Sequence, residues 1–321
     1  MFILAKSILM KLFVKILLLF FLFSYTEINA QFKTTYHDSN GSSVYIPLGQ
    51  ISFADEVVSF TLGNPKPFKE FRDSSQALHE PNYTKYEKAD FVSLGCGGVL
   101  VVKFTNNGFM NLEGDDLYIF EVGPSKETAT VEVSSDGENW IYAGKTKGGK
   151  SSIDLSDEGI DNNTIFYYLR LTDLKDLCRS KTAGADIDAV AAINSVVKLD
   201  IAADVLFGVD KFDLKETATK TIDSISRVLD EIPSATILIE GHTDSDGTDE
   251  YNIELSKNRC MSVKERLKAA SKNYDRFNFE VKAYGESKPR FPNDSPENKQ
   301  LNRRVEIMVL PPKVYYESLS E

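Results

Sequence analysis

The chain is short of positive charge. Its 321 residues hold 37 lysines and arginines against 48 aspartates and glutamates, a formal charge of −11. Such a surface repels nucleic acid at long range, and no basic or aromatic-basic stripe offsets the repulsion. Long hydrophobic runs are also lacking. The clearest one, residues 16–25 (ILLLFFLFSY), is too short to span a bilayer as a helix. It follows Lys6, Lys11 and Lys15 and leads into TEINA, ending at Ala30. That order is the grammar of a cleavable export signal over residues 1–30. An uncleaved anchor is the competing reading. No cysteine lies near residue 30, so a bacterial lipid anchor is not expected, and the mature chain should carry no transmembrane span.

Cysteine is scarce, with Cys96, Cys178 and Cys260 alone. Export implies an oxidising compartment, so their pairing matters. Cys96 and Cys178 share the N-terminal half, and a disulfide between them with Cys260 left free is the economical arrangement. Two buried free thiols is the alternative. What remains is ordinary for a globular protein, with 42% hydrophobic and 26% charged residues.

Residues 31–195 read as short β runs split by glycine, asparagine and aspartate. Turn signals such as "TNNG", "EGDD", "SSDGEN" and "KGGK" separate them, and no long 3.6-residue period interrupts. The pattern predicts an antiparallel β-sandwich. A small outer-membrane barrel is the rival, but it needs longer alternating strands than most of these runs supply. After Asn194 the pattern changes. "KLDIAADVLFG", "ATILIEGH", "FNFEVKAYG" and "RRVEIMVL" read as strands. "DLKETATKTIDSISRVLDEIP" reads as a helix capped by Asp213, and residues 251–270 as a second helix. Residues 196–312 therefore predict a two-layer α/β sandwich of order βαβαββ, and the fold class is mixed. No Gly/Ser linker separates the halves, so they are expected to pack together or at a short fixed distance. Residues 313–321 read as a loose tail.

The stretch "GHTDSDGTDEYNIELSKNR", Gly241 to Arg259, carries the chemistry. As a calcium loop it fails: counting from Asp244, glycine arrives at position four and position twelve is Leu255. As a catalytic cluster it lacks a group to orient His242, and Cys260 shares a core-facing helical stripe with Ser256, Val263 and Leu267. An enzyme is not expected. Asn252, Ser256 and Arg259 line one edge of the helix that follows Asp244. A carboxylate facing a guanidinium fork suits a zwitterionic amino-acid centre, with Asp244 on the ammonium and Arg259 on the carboxylate.

These residues also carry a resemblance. "GHTDSDG…YNIELSKNR", "YGESKP" and "NRRVEI" resemble, in order over about residues 198–310, the OmpA-like C-terminal domain. The resemblance implies non-covalent peptidoglycan binding through the diaminopimelate of the stem peptide, held by Asp244 and Arg259. It further implies Thr243, Asn252 and Leu255 around the pocket, Arg303 or Arg304 beside it with the other bracing the loop, and Asp210 as a polar contact. A periplasmic protein tied to the outer envelope follows from it.

The N-terminal half, through "LGCGGVLVVKFTNN", "DLYIFEVG" and "GADIDAVAAI", resembles discoidin-like or lectin-like sandwich modules. A glycan or an outer-membrane protein is its expected partner. The alternative function is a surface or periplasmic carbohydrate-binding adhesin whose C-terminal domain is only the wall anchor. No cofactor is expected. Calcium is the one ion for which candidates exist, Asp186 and Asp188, facing Asp115 or Asp116.

Overall fold

Period-two alternation of apolar residues sets the first strands. The computed structural model describes residues 32–123, 127–148, 150–176, 178–313 and 315; the expected export signal, and the tail beyond residue 313 apart from residue 315, lie outside them. The strands are β1 (Thr35–His37), β2 (Ser43–Tyr45), β3 (Glu56–Thr61), β4 (Val92–Ser93), β5 (Val99–Lys103), β6 (Gly108–Phe109), β7 (Leu117–Glu121), β8 (Ala129–Ser134), β9 (Ile141–Lys145), β10 (Lys150–Ile153), β11 (Tyr168–Asp173) and β12 (Asp186–Ala192). β10, β7, β12 and β4 form one antiparallel sheet, and β3, β5, β11, β8 and β9 another. In β11, Leu169 and Leu171 are buried while Tyr168 and Arg170 are not, as a strand with one covered face requires. One core joins the two sheets: Leu100, Val131 and Leu169 meet Leu117, Ile119 and Ile187.

The second half adds β13 (Ser195–Ala202), α1 (Ala203–Leu206), α2 (Ala218–Asp230), β14 (Ala235–His242), α3 (Asp249–Ala270), β15 (Phe277–Gly285), α4 (Pro296–Asn302) and β16 (Arg304–Leu310). Its sheet has the order β15-β14-β16-β13-β6, parallel only between β14 and β15. Ile222, Ile225 and Leu229 of α2 and Val263 and Leu267 of α3 bury against Ile237, Ile239, Val305 and Ile307. The chain is a mixed α/β protein. Among the described residues, no helix is long and apolar enough to cross a membrane.

Strand pairing and core packing join the two halves. β13 pairs with β16 along most of its length and, through Ser195 and Val196, with β6. Leu48, from the N-terminal half, is buried in the α/β core. The expected boundary at 195/196 therefore falls inside one continuous strand.

Three local expectations change. "KLDIAADVLFG" is strand only to Ala202. Ala203, Leu206 and Phe207 are all buried, and their i, i+3, i+4 spacing needs a helical turn. Asp213 does not cap α2, which starts at Ala218 without a side-chain cap. Leu214 instead bridges to Phe207, which holds the preceding residues in a loop. The interval between "FNFEVKAYG" and "RRVEIMVL", to which no element is assigned from sequence, contains α4, started by Ser295, whose hydroxyl accepts from the Asn298 N–H, and by Pro296.

Cys96 and Cys178 are bonded, with their Cα atoms 5.3 Å apart, and Cys260 is free and buried. The bond closes a loop across 82 residues. Replacing both cysteines by serine should lower the unfolding free energy by about 2–5 kcal/mol in urea titrations. An unchanged midpoint would show that the loop is held by other contacts. Burial pushes the Cys260 thiol up to about 12, so a thiol reagent at pH 8 should label it only in denaturant.

Candidate functional site

The cleft begins where α3 lies on β14. A side chain on Gly241 would come within 2.6 Å of both the Cys260 Sγ and the Ser256 carbonyl. Glycine on the strand and small residues on the helix therefore let the two backbones approach closely. Thr248 starts α3, its hydroxyl accepting from the Tyr251 N–H at 3.2 Å. Between strand end and helix start, the Asp246 N–H donates to Asp244 Oδ1 at 3.2 Å. The Thr243 N–H donates to the Gly285 carbonyl at 2.9 Å. Asn252 braces the loop from the helix, donating to the Asp244 carbonyl at 3.3 Å and to Glu286 Oε2 at 2.6 Å.

These constraints bring Asp244 and Arg259 to one cavity of about 390 Å³. Asp210, Thr243, Asn252, Leu255 and Arg303 line it with them. So do residues that sequence reasoning missed, among them Asp204, Phe207, Lys215, Asp246 and Tyr251. Phe207 and Asp204 escaped notice because they belong to a segment read as strand. A helical reading of the Ala203/Leu206/Phe207 spacing was the available signal.

Arg259 is almost wholly buried. Its Nε donates to the Lys211 carbonyl at 3.0 Å, and its guanidinium stacks 5.3 Å over the Phe207 ring. Its two Nη groups make no hydrogen bond among the described residues. Burial lowers the Arg259 pKa and Asp210 and Asp244 oppose that effect; a guanidinium so placed stays charged at neutral pH. Asp244 is also buried, and its Oδ2 accepts from Arg303 Nη1 at 2.5 Å. A cationic group arriving at Asp244 must therefore share the carboxylate with Arg303, which is far more exposed than Asp244. The Thr243 hydroxyl is buried with no hydrogen-bond partner. Four carboxylates and three cationic side chains line the cavity, a lining matched to a group bearing both signs.

Arg304 does not line the cavity. It opens β16 opposite His242, and because Val305 faces the helices, alternation turns Arg304 to the other side of the sheet. There its Nε donates to Glu306 Oε1 at 2.6 Å, and Glu306 also takes Lys198 at 2.7 Å and Arg290 at 2.9 Å. Glu240, His242 and Glu306 place ligand-type atoms within 4.8 Å of one another. Three cationic side chains already occupy Glu306, whereas both ring nitrogens of His242 are buried without a hydrogen bond among the described residues.

Asp186 and Asp188 stand differently from the expectation of a shared calcium face. Asp186 accepts from the Ser93 hydroxyl at 2.5 Å, and Asp188 from the Asn82 and Tyr83 N–H groups at 3.0 and 3.2 Å. Asp116 is taken up by the Leu112 and Leu155 N–H groups and the Asn194 amide. Among the described residues, none of these acids joins a group of three ligand atoms.

Fold and cleft together define a binding module with a charged recess on an α/β sandwich. Residues 206–303 match the model of the OmpA family, and this part of the chain is an OmpA family domain. Outer membrane porin F of Pseudomonas aeruginosa is 35% identical over 136 residues, covering 42% of this chain and 38% of that protein. The peptidoglycan-associated lipoprotein of Haemophilus influenzae is 37% identical over 101 residues, covering 32% of this chain and 65% of that one. The chain thus spans under two thirds of the length of either relative. Among solved structures, the cell wall anchor of the T6SS from Pseudomonas aeruginosa is 29% identical, covering 38% of this chain and 85% of that chain, with a TM-score of 0.32.

Two predictions follow from this geometry. Gly241→Ala should cost about 1–3 kcal/mol by overpacking, read as a shift in urea midpoint; a neutral result would mean that α3 can slide off β14. Burial alone would raise the Glu306 pKa, but the Lys198 and Arg304 hydrogen bonds outweigh it and bring it to about 2. A carboxyl depressed in the folded state stabilises above its unfolded pKa and loses that contribution on acidification. The stability gap between wild type and Glu306→Gln should therefore be full above pH 4.5 and shrink toward pH 2. A gap independent of pH would contradict the pairing.

Proposed function

We propose that the cleft binds peptidoglycan non-covalently in the periplasm and ties the outer envelope to the cell wall. In this reading the ligand is the diaminopimelate centre of a stem peptide. Arg259 grips its carboxylate through the two free Nη groups, and Asp244 takes its ammonium in exchange for part of the Arg303 contact. Thr243, Asn252, Leu255 and Asp210 shape the recess. The observation that carries the reading is a buried guanidinium with an unused fork beside a buried carboxylate, in one cleft. The name of the Haemophilus relative, a peptidoglycan-associated lipoprotein, supports the ligand class. The same reading takes residues 31–195 as a β-sandwich module and 196–312 as the βαβαββ wall-binding module, supported by the two antiparallel sheets that share one core.

The test is sedimentation with purified sacculi. Asp244→Ala and Arg259→Ala should each weaken retention by about tenfold or more, since each removes a charge-assisted hydrogen bond worth ~1.5–3 kcal/mol. Retention at the wild-type level by both folded variants would overturn the site.

A glycan contact by the N-terminal half is favoured by one observation. Register places Tyr142, Glu132 and Arg170 side by side on the outer face of the five-stranded sheet. Arg170 is clamped by Glu132 at 2.7 and 2.5 Å and stacks 4.4 Å over Trp140. Aromatic rings beside fixed polar groups suit a sugar face. Absence of any glycan-array binding by the wild-type chain would remove this second reading, and binding that survives Trp140→Ala would remove this face as its site.

A further inference from the structure

A second cavity, of about 380 Å³, lies in the N-terminal half and plays no part in wall binding. Glu127, Asp176, Ser180 and Thr182 line it, together with Tyr86 and the disulfide sulfur of Cys178. The bond to Cys96 anchors this wall to the sandwich core. The Tyr86 hydroxyl and Thr182 Oγ1 are 2.9 Å apart, and Ser180 Oγ lies 3.5 Å from the same atom. Asp176 is held in place by the Thr128 N–H and hydroxyl.

Glu127 is the anomaly. Its side chain is only 6% exposed. Among the described residues it has no hydrogen bond and no ion pair. Its four flanking acids, Asp186, Asp173, Glu121 and Asp176, all act against its ionisation, and burial acts more strongly still. A carboxyl in that position is costly unless something brings positive charge to it. Among the described residues, no lysine or arginine side chain pairs with it, although Lys175 and Arg179 stand in the cavity wall.

The donor set separates two kinds of cation. A hard divalent ion such as calcium gathers six to eight oxygens. Among the described residues, no three carboxylate oxygens here come within joint reach of one ion. Two carboxylates, Glu127 and Asp176, with the Tyr86, Ser180 and Thr182 hydroxyls in one cavity, beside a tyrosine ring that already carries Lys181 at 5.3 Å, match instead a directional, singly charged donor. A primary ammonium carries three N–H groups and is attracted to an aromatic face. We propose that this cavity is a binding site for a primary ammonium group on an alkyl chain, as on a lysine side chain, with Glu127 as its counter-ion and the Tyr86, Ser180 and Thr182 hydroxyls as further acceptors.

The test is titration calorimetry of the full chain with Nα-acetyl-lysine methylamide. Its Nε-acetyl derivative and calcium chloride serve as the other arms. The free amine should bind and the acetylated one should not. Glu127→Gln, which keeps the shape and removes the charge, should weaken binding about tenfold or more, the loss of one charge-assisted hydrogen bond. A second readout does not depend on that variant. The free Glu127 carboxyl titrates at about 8, so at pH 7 an arriving ammonium should displace its proton. Heats measured in buffers of different ionisation enthalpy should report that release. Equal binding of the acetylated probe, wild-type affinity in Glu127→Gln, absence of proton release, binding of calcium alone, or no binding at millimolar probe would each overturn the assignment.

Discussion

Helix α3 lies against strand β14 because Gly241 presents no side chain to Cys260 and Ser256. That close approach decides where Arg259 sits. The arginine is one residue before Cys260, so the contact that buries the thiol also delivers the guanidinium to the mouth of the loop after β14. Thr248 fixes the start of the helix, and Asn252 ties it to the backbone of Asp244. Small residues at the contact thus do the positioning, and the charged residues inherit it.

The charges in the recess are shared rather than closed off. Asp244 divides its two oxygens between the Asp246 N–H and Arg303. Arg259 spends only its Nε on the protein, and Phe207 supports the plane of its guanidinium. A buried ion pair with no free valence would be structural, and an unpaired buried charge would be unstable. The recess lies between those limits. On the far side of the same sheet, Glu306 is surrounded by Lys198, Arg290 and Arg304 and has nothing left to offer a ligand. The chain therefore holds two sets of opposite charges on one sheet, one saturated and one open. Continuity of β13 across both halves, and the burial of Leu48 in the second core, couple this sheet to the N-terminal half.

Much of this was legible in the residues. "ATILIEGH" announces β14 with its bounds intact, because a short continuous apolar run rich in isoleucine, followed by an Asp/Ser/Gly turn, suits a strand buried on both faces. The second helix, read from residue 251 and observed from Asp249, was nearly as plain, and the Cys96–Cys178 bond was the more economical of two readings. The residues around "KLDIAADVLFG" were not. An apolar run of that length suits a strand or a helical turn, and the contact of Phe207 with Leu214 and Arg259 settles it. Asp213 looked like a cap on local grounds, but long-range pairing of its neighbour outweighs a cap of about 1 kcal/mol.

The sequence by itself determined the mixed α/β class and the presence of Asp244 and Arg259 on either side of a helix start, because these follow from periodicity and spacing along the chain. Tertiary structure alone decided that Arg303 and not Arg304 enters the cleft, that Asp186 and Asp188 spend their oxygens on internal donors, and that Glu127 is buried without a partner among the described residues. Each of these depends on which face of a sheet, or which distant loop, a side chain meets. Neighbours in space across 60 or 100 residues leave no local mark on the sequence that brings them together.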